Sequence, residues 1–446
     1  MRTSFFLTTK RSCFSLVILL SVYSQQVFSI QPLSNIDAFK TIMIEGSKLP
    51  GAVGYPIKEF SLASVIDDEM EPIPFQVDEY NEGGAIYFDG WDVPIAGSKD
   101  IVDQEDKLLF IYKDAGNRRK AHHRYDGEII HEIALTNSLG HIRYVYLVKK
   151  SRLRSDEQYV RYSADEALVE TDFYSIEYNK ENHINWDDFS IVNYDGDSNP
   201  FDALKIRIET GIISSFAKTE LNNKDLVAIP KGVNSGPIRT TTQMELTMWF
   251  LKLPLLRISL QLHHSPNSLI YDVRSVLPET RRSMLADPRI FISLEGNELY
   301  GTQIRTALGP KTPGITDGKI DANEQEFIAN GISKTQNWIW ASTKRNLDFV
   351  AFFDYTGEQT EDLSLHYNDD KELIDLPERF PGQLPNMGYK IHSLPESGYF
   401  GFAVNIHMSN GYKGNPDLFT DKLRRLPDIN IASPQEASPQ KAIALN

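Results

Sequence analysis

Four side chains in the middle of the chain have the types that acid–base chemistry needs. Arg239, Glu245, His263 and Tyr271 would supply a base, an acid and an electrostatic sink for a developing enolate if adjacent antiparallel strands brought them together. Apart, they are ordinary surface residues, and no residue is assigned as catalytic. Trp249 adds a binding function to this set. Residues 243–250 alternate, with Met244, Leu246, Met248 and Phe250 on one side and Glu245, Thr247 and Trp249 on the other. An aromatic ring on a polar sheet face beside charged groups can stack on a sugar, so Trp249, Glu245, Arg239 and His263 form the expected substrate-binding set. Packing beneath an N-terminal domain would account for Trp249 equally well. Trp338 and Trp340 share one parity and offer either a second stacking platform or two core residues.

Acids cluster between residues 89 and 106, where Asp89, Asp92, Asp100, Asp103, Glu105 and Asp106 occur. Carboxylates on one loop can enclose a hard cation, and Asp103, Glu105 and Asp106 are the expected ligands if calcium binds. A solvated acidic turn is the alternative. Asp317-Gly318-Lys319-Ile320-Asp321-Ala322-Asn323-Glu324 has the back half of a twelve-residue calcium loop in register, but Pro313 and Ile315 stand where its front half needs oxygen side chains. Asp195-Gly196-Asp197-Ser198-Asn199 reads as a turn first and a ligand loop second. Two histidine pairs stand out, His122-His123 and His263-His264. Neighbours on a strand face opposite ways, so neither pair is expected to chelate by itself. His263 alternates with Gln261, Ser259 and Arg257 on a polar, surface-like face. No H-E-x-x-H, G-x-S-x-G, Walker loop or dinucleotide fingerprint occurs, which leaves zinc-protease, serine-hydrolase and nucleotide readings without support.

The elements that must carry these residues are strands. Period-two alternation recurs at 72–80, 107–113, 142–150, 243–250, 257–263, 269–276, 289–294, 299–307, 338–343, 347–355, 363–367 and 399–408. Such a rhythm with few helical windows implies an all-β fold, an antiparallel β-sandwich or supersandwich, with a smaller N-terminal β-domain over 30–150 and a large sandwich domain over 151–412. A polar stretch at 151–199 interrupts the rhythm and marks the boundary. Short helices are expected at 215–227 and, opened by Asn415-Pro416, within 413–426. A disordered tail is expected over 427–446.

Pro74-Phe75-Gln76-Val77-Asp78-Glu79, followed by Asp106-Lys107-Leu108-Leu109-Phe110, resembles a P-x-Q-V-D-[DE] … D-E-L-V-F pattern of poorly characterised exported β-sandwich proteins, with Lys107 standing where that pattern has an acid. Gly236-Pro237-Ile238-Arg239, opening a long strand, is also similar to such proteins. Some of them accompany polysaccharide degradation and look like the galactose-mutarotase supersandwich, so the resemblance implies a carbohydrate-related role.

The N-terminus addresses the chain outward. Lys10 and Arg11 precede the apolar run 13–23, and small residues follow, which is the layout of a signal peptide over 1–29. Cys13, the one cysteine, lies inside it, so a processed chain has no disulfide, thiolate nucleophile or thiolate-bound metal. There is no Asn-x-Ser/Thr sequon, and the expected location is the bacterial periplasm or exterior. Removing residues 1–29, with three positive and no negative side chains, takes the formal charge from −15 to −18. That surface repels nucleic acid, and no transmembrane segment is expected after cleavage. The expected partner is an oligosaccharide. The alternative is a non-catalytic envelope module for a protein or lipid, with the apolar run 248–256 as its edge.

Overall fold

Alternating apolar residues on long strands need a second apolar sheet to cover them, and two sheets of this protein meet that need. The computed structural model describes residues 33–433 except 34, 197–198, 213–217, 357–361, 378–382 and 413. The expected signal peptide, two residues of the Asp195–Asn199 turn and the last thirteen residues lie outside that range. Leu33–Asn446 is one compact unit. Its described residues form twenty-six strands against four short α-helices, and every ladder is antiparallel, so the fold is all-β.

A nine-stranded sheet runs in the order Leu226–Ser235, Thr240–Phe250, Leu253–Ser265, Ser268–Leu277, Gly398–Ser409, Asp348–Tyr355, Ile339–Ser342, Gln303–Thr306 and Gly314–Ile315. A five-stranded sheet runs Lys218–Leu221, Phe201–Ile212, Leu285–Gly296, Asn386–Ile391 and Leu363–Asn368. Met244, Leu246, Leu260, Leu262, Phe349 and Val404 of the first sheet share one buried core with Leu204, Ile208, Ile292, Leu294, Met387 and Tyr389 of the second. This is the sandwich that the alternation implied.

The segment before residue 150 builds a three-stranded sheet and four strands of a five-stranded sheet, around a separate core that includes Ile42, Phe60, Leu108, Phe110, Ile133 and Leu147. Alternation in the strand Lys107–Ile111 ties the two cores together, because Leu108 and Phe110 face the N-terminal core while Leu109 and Ile111 face the sandwich core.

Three expectations need correction. The polar stretch 151–199 holds a four-stranded sheet, Val160–Ser163, Leu168–Thr171, Tyr174–Tyr178 and Trp186–Ile191. Its strands are short, with Glu170, Glu177 and Asp187 on the solvent side and Val169, Tyr174, Ile176 and Phe189 buried. The helix expected over 215–227 gives way, where described, to strands Lys218–Leu221 and Leu226–Ser235. The tail is ordered over Asp428–Ala432, which pairs with Glu128–Thr136 and buries Ile429 and Ile431 partly against the N-terminal core. Helix Pro416–Arg424, capped by Asn415, occupies the last expected helical segment and lies over Trp340, Val350 and Phe352. Trp340 is therefore core and Trp338 packs partly against it, so neither forms a platform. No described helix is long and apolar enough to cross a membrane.

Candidate functional site

The outer face of the nine-stranded sheet is polar, and register aligns its residues across strands. Gln243 stands opposite Gln261, which stands opposite Asp272; Glu245 stands opposite Ser259. Residues 79–101 fold over this face. The Gln261 amide treats the loop as one more strand: it accepts from the Ile86 N–H at 3.0 Å and donates to the Ile86 carbonyl at 2.7 Å. Arg274 donates to the Gly84 carbonyl at 2.6 Å. Gly84 has φ +73°, and a Cβ there would stand 3.2 Å from the guanidinium, so this turn suits glycine twice over. Further along, Phe88 lies where a Cβ on Gly232 would stand, 2.9 Å from its ring.

Between loop and sheet lies a cleft of about 380 Å³, whose lining includes Trp91, Glu245, Arg257, Ser259, Asp272 and Tyr399. Its polar groups divide by commitment. Gln243, Gln261, Asp272 and Arg274 brace the loop and one another, Arg274 Nε reaching both Asp272 oxygens at 3.0 and 3.1 Å. Burial would push the Asp272 carboxyl up, but His263 and the Arg274 guanidinium outweigh it and hold it below the usual range. Burial lowers His263. Arg257 and Asp92 are exposed, and the Glu245 carboxylate lies 3.7 Å from the Lys231 ammonium. Trp91 is half-exposed at the mouth. An aromatic wall with uncommitted charged donors and acceptors suits a flat-faced, hydroxyl-bearing ligand.

Of the residues expected from sequence, Glu245 lines the cleft. Trp249 does not. The ladder shifts between Met248 and Trp249 by skipping Leu255 of the partner strand, and Trp249 lies half-buried at the hairpin end opposite Pro254, four residues along the strand from Glu245. Arg239 is six residues from Glu245 along one strand, about 20 Å. It is buried against Asp78, which accepts from its Nε at 2.9 Å and also from its Nη2. His263 is buried rather than on the surface, with Nδ1 2.9 Å from the Thr241 hydroxyl and Nε2 3.8 Å from Asp272. Tyr271 faces the sandwich core. Arg239 lies near enough to His263 for its charge to help lower the imidazole, but Glu245 lines the cleft and Tyr271 the core, so the four do not converge.

The expected calcium ligands on the acidic loop hold backbone instead. Asp103 Oδ2 accepts from the Ser98 N–H, and Asp106 accepts from the N–H groups of Asp103 and Tyr80 at 2.8 and 3.3 Å. Glu105 is exposed. Burial pushes the Asp106 carboxyl up to about 6, although these backbone donors oppose it.

Among the described residues, the one trio of His, Cys, Asp or Glu whose ligand atoms lie within 4.8 Å of one another is Asp68, His122 and His123. The two histidines sit on a turn, not a strand, so both rings reach Asp68, at 3.1 Å each. His123 Nδ1 accepts the Lys120 N–H at 3.1 Å, so the neutral ring carries its proton on Nε2 and offers no lone pair there. Lys120 Nζ, 2.8 Å from Asp68, further opposes a cation. The trio pins a hairpin turn.

Trp91 went unnoticed in the sequence because it lies in a loop with no alternating neighbours. The signal available was a lone aromatic between Gly90 and Asp92.

No family model matches this chain, and no curated protein does. Among solved structures it is similar to an α-mannosidase from Enterococcus faecalis V583, with TM-score 0.43 and 10% identity over 89% of this chain and 44% of that one. A glycosyl hydrolase family 38 protein from Enterococcus faecalis gives TM-score 0.41 and 9% identity over 89% of this chain and 45% of that one. The chain spans less than half the length of either.

Proposed function

We propose that this is an exported protein that binds an oligosaccharide in the cleft beneath residues 79–101. The observation that carries the reading is the cleft itself: Trp91 in its lining, with Arg257 and Asp92 exposed beside it and Glu245 held only by a part-exposed ion pair to Lys231. Its volume falls in the range of about 300–1,000 Å³ usual for small-molecule sites. Stacking on Trp91 supplies about 0.5–1.5 kcal/mol beyond burial, a large share of a weak sugar site. Trp91→Ala should therefore lower affinity for immobilised neutral oligosaccharides about tenfold while leaving the melting temperature nearly unchanged, since the ring is on an exposed loop. Trp249→Ala should leave that affinity intact. Equal binding by wild type and Trp91→Ala, or no oligosaccharide bound by either, would remove the reading.

One observation favours a second reading, docking through the hairpin between Thr240–Phe250 and Leu253–Ser265. Leu251 and Leu253 are 80% and 67% exposed, and Leu251 and Lys252 both have positive φ, +49° and +67°. A bulky residue in that region costs on the order of 1 kcal/mol, and exposing two leucines stabilises nothing in the isolated chain. If the tip inserts into a lipid surface, Leu251→Asp with Leu253→Asp should abolish co-sedimentation with phosphatidylcholine vesicles and leave the fold unchanged. Wild-type protein that stays in the supernatant would dismiss the lipid partner.

A further inference from the structure

A cavity of about 230 Å³ lies where the first and last elements of the described chain meet, and it shares no lining residue with the cleft. Its wall comes from Asp37 and Lys40 in and after the helix Asn35–Ala38, from Tyr112, from the hairpin turn at 137–138, and from the helix Pro416–Arg424 with the residues after it. The spacing on that last helix explains the wall. Phe419 and Leu423 are buried in the core, while Leu418, Lys422 and Arg425, four and three residues apart, form the neighbouring stripe that lines the cavity.

Cations are in excess here. Lys40 Nζ donates to Asp37 at 2.7 Å and to the Arg425 carbonyl at 2.8 Å, so its third N–H is left over, on a side chain only 9% exposed. The contact with the carbonyl also offsets the negative end of the helix dipole, which by itself would oppose an anion. Among the described residues Lys422 and Arg425 have no ion pair, and Asp421 is the one further acid in the wall. Tyr112 is buried, and its hydroxyl has no hydrogen-bond partner. Arg143, also buried, lies 5.8 Å from the Tyr112 ring centroid, with Nε and Nη1 without partners. Burial raises the Tyr112 hydroxyl, Arg143 opposes this and Asp37 adds to it, so the hydroxyl stands in the field of both. Burial lowers the Arg143 guanidinium, while Tyr112 and Asp114 act against this through space. A buried donor without an acceptor is costly, and a bound oxyanion supplies acceptors. In a chain of formal charge −15, a wall with surplus cations and unmatched donors selects an anion.

We propose that this cavity binds a small phosphate monoester, with Lys40, Lys422 and Arg425 around the phosphate oxygens and the Tyr112 hydroxyl as a further donor in the wall. Charge favours phosphate over carboxylate: a monoester carries about −1.5 to −2 near neutral pH and three acceptor oxygens, and more than one cation here lacks a partner. The volume lies below the range of about 300–1,000 Å³ of larger ligand sites, so it suits a carrier no bigger than one sugar. The bound ligand would bridge the last helix to Lys40 at the other end of the chain.

The test is equilibrium dialysis of the full chain against labelled glucose 6-phosphate at low ionic strength. Its Kd should lie below about 1 mM and rise several-fold in about 0.2 M sodium chloride. Glucose should not bind, and glucuronate, with a single charge, should bind about fivefold more weakly or worse. Lys422→Gln with Arg425→Gln, both on the exposed side of the helix, should weaken glucose 6-phosphate on the order of tenfold and keep the far-ultraviolet circular dichroism of the wild type. Tyr112→Phe should weaken it about threefold without lowering the melting temperature, because the hydroxyl removed has no partner in the empty cavity. Lys224→Gln, an exposed lysine elsewhere, should change neither quantity. No binding of glucose 6-phosphate, glucuronate bound equally well, or a folded variant of either kind that binds as the wild type does would overturn the site.

Discussion

Asp78→Ala should destabilise the protein by about 3–5 kcal/mol, and Arg239→Ala by a similar amount, because each leaves its partner buried and charged. Asp78 is 1% exposed and Arg239 6%. Burial lowers the guanidinium, but the Asp78 carboxylate more than reverses this and keeps it firmly cationic. The pair is one part of a larger clamp. Gln76 Oε1 accepts the N–H groups of Ile238 and Arg239 at 3.2 and 2.9 Å, and its Nε2 donates to Asp78 at 2.5 Å. Gly236 lies so close that a Cβ would stand 2.3 Å from Gln76 Oε1. The two sequence stretches that carry the family resemblance therefore meet in space and hold the N-terminal strand Gln76–Asp78 against the large sheet. Replacing both charges, Asp78→Leu with Arg239→Met, should recover much of the loss, since apolar packing often matches a buried ion pair. Urea-unfolding midpoints measure both effects. Single-mutant losses under about 1 kcal/mol would show that water reaches the pair. Residue 79 begins the loop over the cleft, so the single mutants should also lose oligosaccharide affinity under conditions where they remain folded.

What could be read in the sequence divides along physical lines. Strands with one apolar face announce themselves, and Met244, Leu246 and Met248 face the core as their spacing required. The same periodicity misled at Trp249, because alternation sets the face of a residue and not how far along the strand a distant loop covers it. The sheet at 160–191 was obscured because four- to six-residue strands with charged outer positions read as polar loop. The cleft was illegible for a different reason. It exists only once Gln261 pairs with Ile86, at a separation of 175 residues, and nothing near Trp91 encodes that contact. Asp369 is the extreme case: its hold on the N–H groups of Asp317 and Gly318 is purely tertiary.

Asp114→Asn should make the protein more stable at pH 9 and slightly less stable at pH 5. Asp114 ends the turn after the strand Lys107–Ile111 and is 9% exposed. Its Oδ1 accepts from the Tyr159 hydroxyl at 2.7 Å, and its Oδ2 is buried without a partner. Burial pushes this carboxyl up to about 7, against the opposing pull of the Tyr159 hydrogen bond and Lys113. An unfolded Asp titrates near 3.9. The folded state thus binds the proton more tightly, and the stability this contributes is full below about pH 4 and lost as pH rises through about 7. About three units of difference set a ceiling of about 4 kcal/mol for that loss. Asparagine never ionises, so it escapes the loss that builds up between about pH 4 and 7. It still accepts from Tyr159, but its Nδ2 replaces an oxygen that has no donor or acceptor beside it, and an orphaned amide costs about 1–3 kcal/mol at every pH. The two stability curves should therefore cross between about pH 5 and 6, with the mutant above the wild type at higher pH. Urea unfolding at three pH values resolves the crossing. A mutant that is destabilised equally at pH 5 and pH 9 would mean that Asp114 is ionised throughout and is compensated by Arg143, whose Nε and Nη1 are buried without a hydrogen-bond partner.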